Sequence, residues 1–127
     1  MKRISFAWTT ADLVLGQKTA TRRCWDDRHA GRFRAGDEVL AYERSPRAGG
    51  KPIAVIRLTR DPYRQPLSAM TEADLAREGT LWSSVAEFCQ GFPCAEPWVI
   101  EFELVSLTPL GEDIRRRLRP LPGDHPW

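Results

Sequence analysis

Eight residues, Gly16-Gln17-Lys18-Thr19-Ala20-Thr21-Arg22-Arg23, bring together a helix stop, an amine, two hydroxyls and two guanidinium groups. A threonine hydroxyl is a poor nucleophile until a base takes its proton, and a lysine can be that base once burial or nearby cations depress its pKa. Arg22 and Arg23 stand close enough to Lys18 in sequence to push in that direction. A carboxylate would complete the set by orienting the amine or relaying a proton through water, and Glu78, just before Gly79, is the candidate. Lys18, Thr21 and Glu78 would then be base, nucleophile and carboxylate of a hydrolytic centre. The plainer alternatives are a solvated Glu78 at a helix end, a Thr21 that bonds backbone, and a Lys18 that contacts phosphate with an ordinary pKa.

These groups need elements that hold them in place. Thr9 to Leu15 reads as a short helix with Thr9 as N-cap and Asp12 three residues on, closed by Gly16 in a left-handed conformation. Lys18 and Thr21 then lie on a tight connection, or, if the chain extends, Thr19, Thr21 and Arg23 share one face. Before them, Arg3 to Trp8 is a first strand with Ile4 and Phe6 inward; after them, Asp26 to Arg32 reads as a polar loop. Glu38 to Arg44 and Ile53 to Thr59 form a hairpin across a turn rich in Gly and Pro. A helix capped by Ser68 or Thr71 runs through Glu78, with Asp74 three residues after Thr71, and a second helix capped by Ser83 or Ser84 buries Val85, Phe88 and Cys89. Trp98 to Leu107 is the clearest strand, with Ile100, Phe102 and Leu104 on one face. Strands and helices without regular βαβ alternation predict an α+β fold.

The pattern Gly16-x-Lys18-x-x-Thr21-x-Arg23 resembles the signature of the ASCH domain, a branch of the PUA-like superfamily of small β-barrels associated with RNA. Phe33 to Val39, Leu75 to Gly79 and Val85 to Phe88 resemble further markers of that family, so the likeness spans roughly residues 4 to 107. It implies a PUA-like, mostly antiparallel β-barrel with short helices flanking its openings, over residues 1–108, followed by a proline- and arginine-rich extension over 109–127. It also implies a cleft that takes single-stranded RNA or a nucleoside or nucleotide. In one ASCH subfamily, small bacterial amidohydrolases acting on N4-acetylcytidine, the catalytic lysine, threonine and glutamate fall by motif on Lys18, Thr21 and Glu78. An ASCH ribonuclease also exists, so RNA cleavage is a further implication. This chain is longer than those amidohydrolases and has an Arg22-Arg23-Cys24-Trp25 run and a tail that they lack.

Composition sets the bounds. A chain of 127 residues with 42% hydrophobic and 28% charged residues predicts one globular domain, read as a monomer. No apolar run is long enough to span a bilayer and no leader is visible, so the expectation is a cytoplasmic chain without membrane contact. Cys24, Cys89 and Cys94 contain no CxxC pair and read as structural or bystander thiols. With His29 and His125 the only imidazoles, neither a metal centre nor a cofactor is expected. Net charge is +2, but residues 1 to 34 carry eight Lys or Arg against three Asp, the footprint of a phosphate-bearing ligand near the motif, with Arg22 and Arg23 as its contacts. An arginine-rich genome would leave the same footprint. Of five tryptophans, Trp8, Trp25 and Trp82 adjoin motif segments, and Trp25 or Trp82 is the expected stacking partner for a base.

Overall fold

A computed structural model describes residues 1–118 of the 127. Six strands make one curled mixed sheet, a half-barrel: β1 (Lys2–Ser5), β2 (Ala20–Arg23), β3 (Glu38–Tyr42), β4 (Pro52–Leu58), β5 (Tyr63–Arg64) and β6 (Trp98–Leu107). Five short helices surround it: α1 (Thr10–Val14), α2 (Asp27–Ala30), α3 (Glu72–Glu78), α4 (Val85–Cys89) and α5 (Pro109–Leu118). The strand order is β1-β3-β4-β6-β2, with β5 beside β6.

The hairpin forms as its pattern predicts, pairing Val39 with Ile56 and Ala41 with Ala54 so that all four bury on the barrel side. Strand β6 serves twice. Its first half pairs antiparallel with β2, Thr21 opposite Ile100, and its second half with β4, Ile56 opposite Leu104. Ile100 and Phe102 join Ile4, Phe6 and Phe33 in the main core. A second, smaller core of Met70, Leu75 and Phe88 forms under α3 and α4, with Trp82 and Phe92 packed against it.

The sheet is mostly antiparallel, as expected, with two departures from a closed antiparallel barrel. Strands β1 and β3 run parallel, Lys2 opposite Val39, because the intervening chain holding α1, β2 and α2 provides the long crossover that a parallel pair requires. The sheet also stops short of closure, with β1 and β2 as its two ends. Directly after Ser5 and Phe6, Ala7 takes a left-handed φ of +26° and starts a 3-10 turn, which turns the chain away before it can pair with β2. A side chain bridges the gap instead: Arg23 Nη2 donates to the Ser5 carbonyl at 2.6 Å, with the guanidinium 5.3 Å from the centre of the Phe6 ring.

Three other stretches are defined by the structure. The loop at Asp26 to Arg32 contains α2, capped by Asp26, whose Oδ1 accepts from the His29 N–H at 2.7 Å. The extension expected from residue 109 opens with α5, which sets Leu110 and Ile114 against the main core. The remainder of that extension, 119–127 with His125, lies outside the described residues. Finally, Cys24 and Cys94 are not bystander thiols but a disulfide, tying the end of β2 to the loop before β6, while Cys89 is free. Such bonds persist in oxidising surroundings, and a chain in the cytoplasm would carry the pair reduced. No helix among the described residues is long and apolar enough to cross a membrane.

The disulfide joins residues 70 apart, a loop whose closure is worth about 4 kcal/mol on the chain-entropy model. Cys24→Ser/Cys94→Ser should therefore lower the urea midpoint substantially, and dithiothreitol should do the same to the parent protein. A midpoint indifferent to both would show that the bridge adds no stability.

Candidate active site

The backbone sets Lys18 opposite Glu78. The Thr19 N–H donates to the Arg77 carbonyl at 2.8 Å, and Arg77 Nε returns a bond to Thr19 Oγ1 at 3.1 Å. On the other side of the same residue the Phe102 N–H donates to the Thr19 carbonyl at 2.9 Å, so the entry to β2 is fixed between β6 and α3. The next residue back along one segment then faces the next residue on along the other. Helix α3 starts from a capping box, Thr71 Oγ1 accepting from the Asp74 N–H while Asp74 Oδ2 accepts from the Thr71 N–H, and it ends at Gly79.

Gly79 has φ +126°, and a Cβ there would stand 2.5 Å from Asp12 Oδ2, so both backbone and space call for glycine. Asp12 does not form the capping arrangement its spacing suggests. Its carboxylate accepts from the Thr80 N–H at 2.9 Å and the Thr80 hydroxyl at 2.8 Å, and its carbonyl accepts from the Gln17 and Lys18 N–H groups. One aspartate thus holds the ends of both segments that carry the candidate pair.

Glu78 is 2% exposed and collects two cations. Lys18 Nζ donates to Glu78 Oε1 at 3.0 Å and to its backbone carbonyl at 2.8 Å, and Arg22 Nη1 donates to Oε2 at 2.8 Å. Arg22 Nη2 donates to Gln65 Oε1 at 2.6 Å, while Arg22 Nε is buried without a hydrogen-bond partner among the described residues. Thr21 Oγ1 accepts from Arg23 Nε at 3.2 Å, which leaves the hydroxyl proton available. Lys18 therefore bonds Glu78 and not Thr21. Burial pulls the Lys18 amine below its ordinary pKa of 10.5, with Glu78 opposing that shift and the Arg23 charge adding to it.

Lys18, Thr21, Arg22, Arg23 and Glu78 all line one cavity of about 320 Å³, within the range of small-molecule sites, about 300 to 1,000 Å³. It occupies the open seam between β1 and β2. Ser5, Phe6 and Trp8 form one side, and Trp82, Phe88 and Phe92 from the second core, with the exposed Leu81, form the other. Of the two expected stacking residues, Trp82 lines the cavity, edge-on to Phe88 at 4.7 Å. Trp25 does not; it stacks on Phe33 at 4.8 Å and meets His29 edge-on at 4.5 Å. Trp8, 88% exposed at the rim, takes the position expected of Trp25. Gln65, Asp12 and Thr80 have no signal in the sequence, because each matters through a partner more than forty residues away. Among the described residues no cluster of His, Cys, Asp and Glu could hold a metal ion.

No protein-family model matches this chain, and no curated protein matches it. Among solved structures it is similar to the crystal structure of protein EF3133 from Enterococcus faecalis V583, described under the family model DUF984. The TM-score is 0.60 at 20% identity, over 84% of this chain and 72% of that one, which is a likeness of fold.

Glu78→Ala would remove the ion-pair partner of the buried Lys18 and leave Arg22 with only Asp74, 3.7 Å from Nη2, and breaking a buried pair in this way costs about 3 to 5 kcal/mol; equilibrium unfolding in urea reads it directly. Because the folded protein binds the Lys18 proton less tightly than the unfolded chain, stability gains from this residue as pH rises through the folded pKa toward 10.5. Nitrogen-15 NMR titration of the lysine amines should find the Lys18 amine deprotonating below the ordinary 10.5.

Proposed function

We propose that the seam cavity binds the nucleoside part of an RNA or a nucleotide, as an ASCH-like, PUA-related domain would. The observation that carries this reading is the composition of a single cavity: aromatic walls of Phe6, Trp8, Trp82 and Phe88 enclose a polar floor of Lys18, Thr21 and Glu78. Aromatic faces stack on a base of any sequence, contributing about 1 to 3 kcal/mol per base, and the unpartnered Arg22 Nε is a donor for an acceptor on the ligand. The two arginines are committed inside the protein, Arg22 to Glu78 and Gln65 and Arg23 to Ser5 and Thr21. That favours an uncharged base and sugar over a phosphate here, and disfavours a ribonuclease, which needs a free cation at the scissile phosphate.

A second reading, hydrolysis of an amide on an acylated nucleoside of the N4-acetylcytidine kind, is favoured by the lowered pKa of Lys18. Neutral Lys18 would take the Thr21 proton as Oγ1 attacks the amide carbonyl, and Arg23, bonded to Oγ1, would ease the loss of that proton from the hydroxyl. Collapse breaks the C–N bond, with the proton passing from Lys18 to the leaving amine; water then hydrolyses the threonine ester, releasing the acid. Glu78 orients the amine throughout.

Titrating the protein with cytidine while following tryptophan fluorescence tests binding. Quenching is expected, with affinity reduced ten- to a hundredfold by Trp8→Ala and largely kept by Trp8→Phe; no saturable change with any of the four ribonucleosides overturns the reading. Incubation with N4-acetylcytidine tests hydrolysis: the rate should rise with pH as Lys18 loses its proton and vanish in Thr21→Ala. Binding without turnover leaves the first reading in place and removes the second.

A further inference from the structure

Six of the eight basic residues in 1 to 34 fall into two groups on folding. Lys18, Arg22 and Arg23 are consumed by internal partners in the seam. Lys2, Arg3, Arg32 and the His29 ring instead surround a second cavity of about 200 Å³ at the start of β1, with Met1 and Phe33 completing its lining. Its floor is rigid: Phe33 is 2% exposed, stacked on Trp25, and edge-on to His29 at 5.5 Å. Asp37 is the carboxylate at this site, and it is occupied, accepting from Lys2 Nζ at 3.2 Å and from the Arg34 N–H at 2.9 Å. Among the described residues Arg3 and Arg32 have no carboxylate within salt-bridge distance, and both are exposed.

Three cations and an imidazole around an aromatic floor, with one carboxylate already paired, leave an excess of donors that no protein group satisfies. Guanidinium groups present planar forks that match phosphate oxygens two at a time, and a nearby Lys or His adds a third direction. We propose that this second cavity is a phosphate site, which takes a phosphate monoester or diester between Arg3 and Arg32 with His29 as a further donor. The chemistry is shared by a free nucleotide and by a nucleic-acid strand. Strand β1 links the two cavities, Lys2 and Arg3 bordering the second and Ser5 and Phe6 the first. Three residues of strand span about 10 Å, so one strand of RNA could place a base in the seam and a neighbouring phosphate here. That pairing rests on the nucleoside reading above; the phosphate site itself does not.

The test compares the parent protein with Arg3→Glu/Arg32→Glu, both exposed positions, by calorimetry and backbone-amide NMR with inorganic phosphate, cytidine 5′-monophosphate, a single-stranded RNA pentanucleotide and cytidine. Phosphate-bearing probes should shift the amides of Arg3, His29 and Arg32. The double variant should bind the pentanucleotide at least tenfold more weakly, with the slope of log K against log salt reduced by about 0.7 for each phosphate it no longer neutralises. Its affinity for cytidine and its thermal midpoint should stay the same. Tight binding of the pentanucleotide alone identifies a strand as the source, and equal response to the monophosphate identifies a free nucleotide; either supports the site. Unchanged binding of all phosphate-bearing probes in the double variant, or shifts confined to residues 18–23, overturns it. If cytidine fails to bind the parent protein while the phosphate effects persist, the nucleoside reading falls and the phosphate site stands.

Discussion

The ion cluster on Glu78 is the constraint to which the rest of the molecule answers. A carboxylate with 2% exposure cannot remain charged without close partners, and here Lys18 and Arg22 satisfy both of its oxygens. Those bonds fasten β2 to the end of α3 across a separation of about sixty residues. Replacing a buried ionic group with packed apolar side chains is often neutral or stabilising, so stability alone gives little reason to join two elements in this way. The hydrolytic reading proposed above would supply one, an amine held in position for chemistry. The Thr19–Arg77 bonds, the Asp12–Thr80 bonds and the glycine after Glu78 all serve to keep that amine opposite that carboxylate.

The empty space beside the cluster follows from the sheet. A closed barrel of this size fills its interior with side chains; a half-barrel leaves a seam, and the second core behind α3 and α4 gives that seam an outer wall. The cavity therefore lies between two cores and belongs to neither. The disulfide fits the same plan, since Cys24 directly follows Arg23 and Cys94 comes two residues after Phe92, so it links the two sides of the hollow near their ends.

Local rules made much of this legible. The Thr71–Asp74 spacing marked the helix start, the alternation of Ile100 and Phe102 marked the longest strand, and Gly16 took the left-handed turn its position suggests, with φ +74°. The density of polar groups at Lys18 to Arg23 pointed to a real convergence. What stayed hidden depends on distant partners. Asp12 has the spacing of a cap but directs its carboxylate to Thr80; Trp25 adjoins the motif but stacks away from it on Phe33; Cys24 and Cys94 carry no signal of their proximity. The likeness to a mostly antiparallel barrel could not reveal which pair runs parallel, β1 with β3, because pairing direction depends on the route of the connection and not on the strand itself. Sequence also counted arginines near the motif without distinguishing those that pair inward from those that face water.

Arg23 spans the break between the sheet ends through a flexible side chain, where a complete barrel would use a ladder of main-chain bonds. The break is thus bridged by one side chain, held at Ser5, Thr21 and the Phe6 ring, separately from the strands that give the fold its rigidity. An exchange at this single position would therefore alter how the two sheet ends are joined while every main-chain ladder that defines the scaffold stays in place.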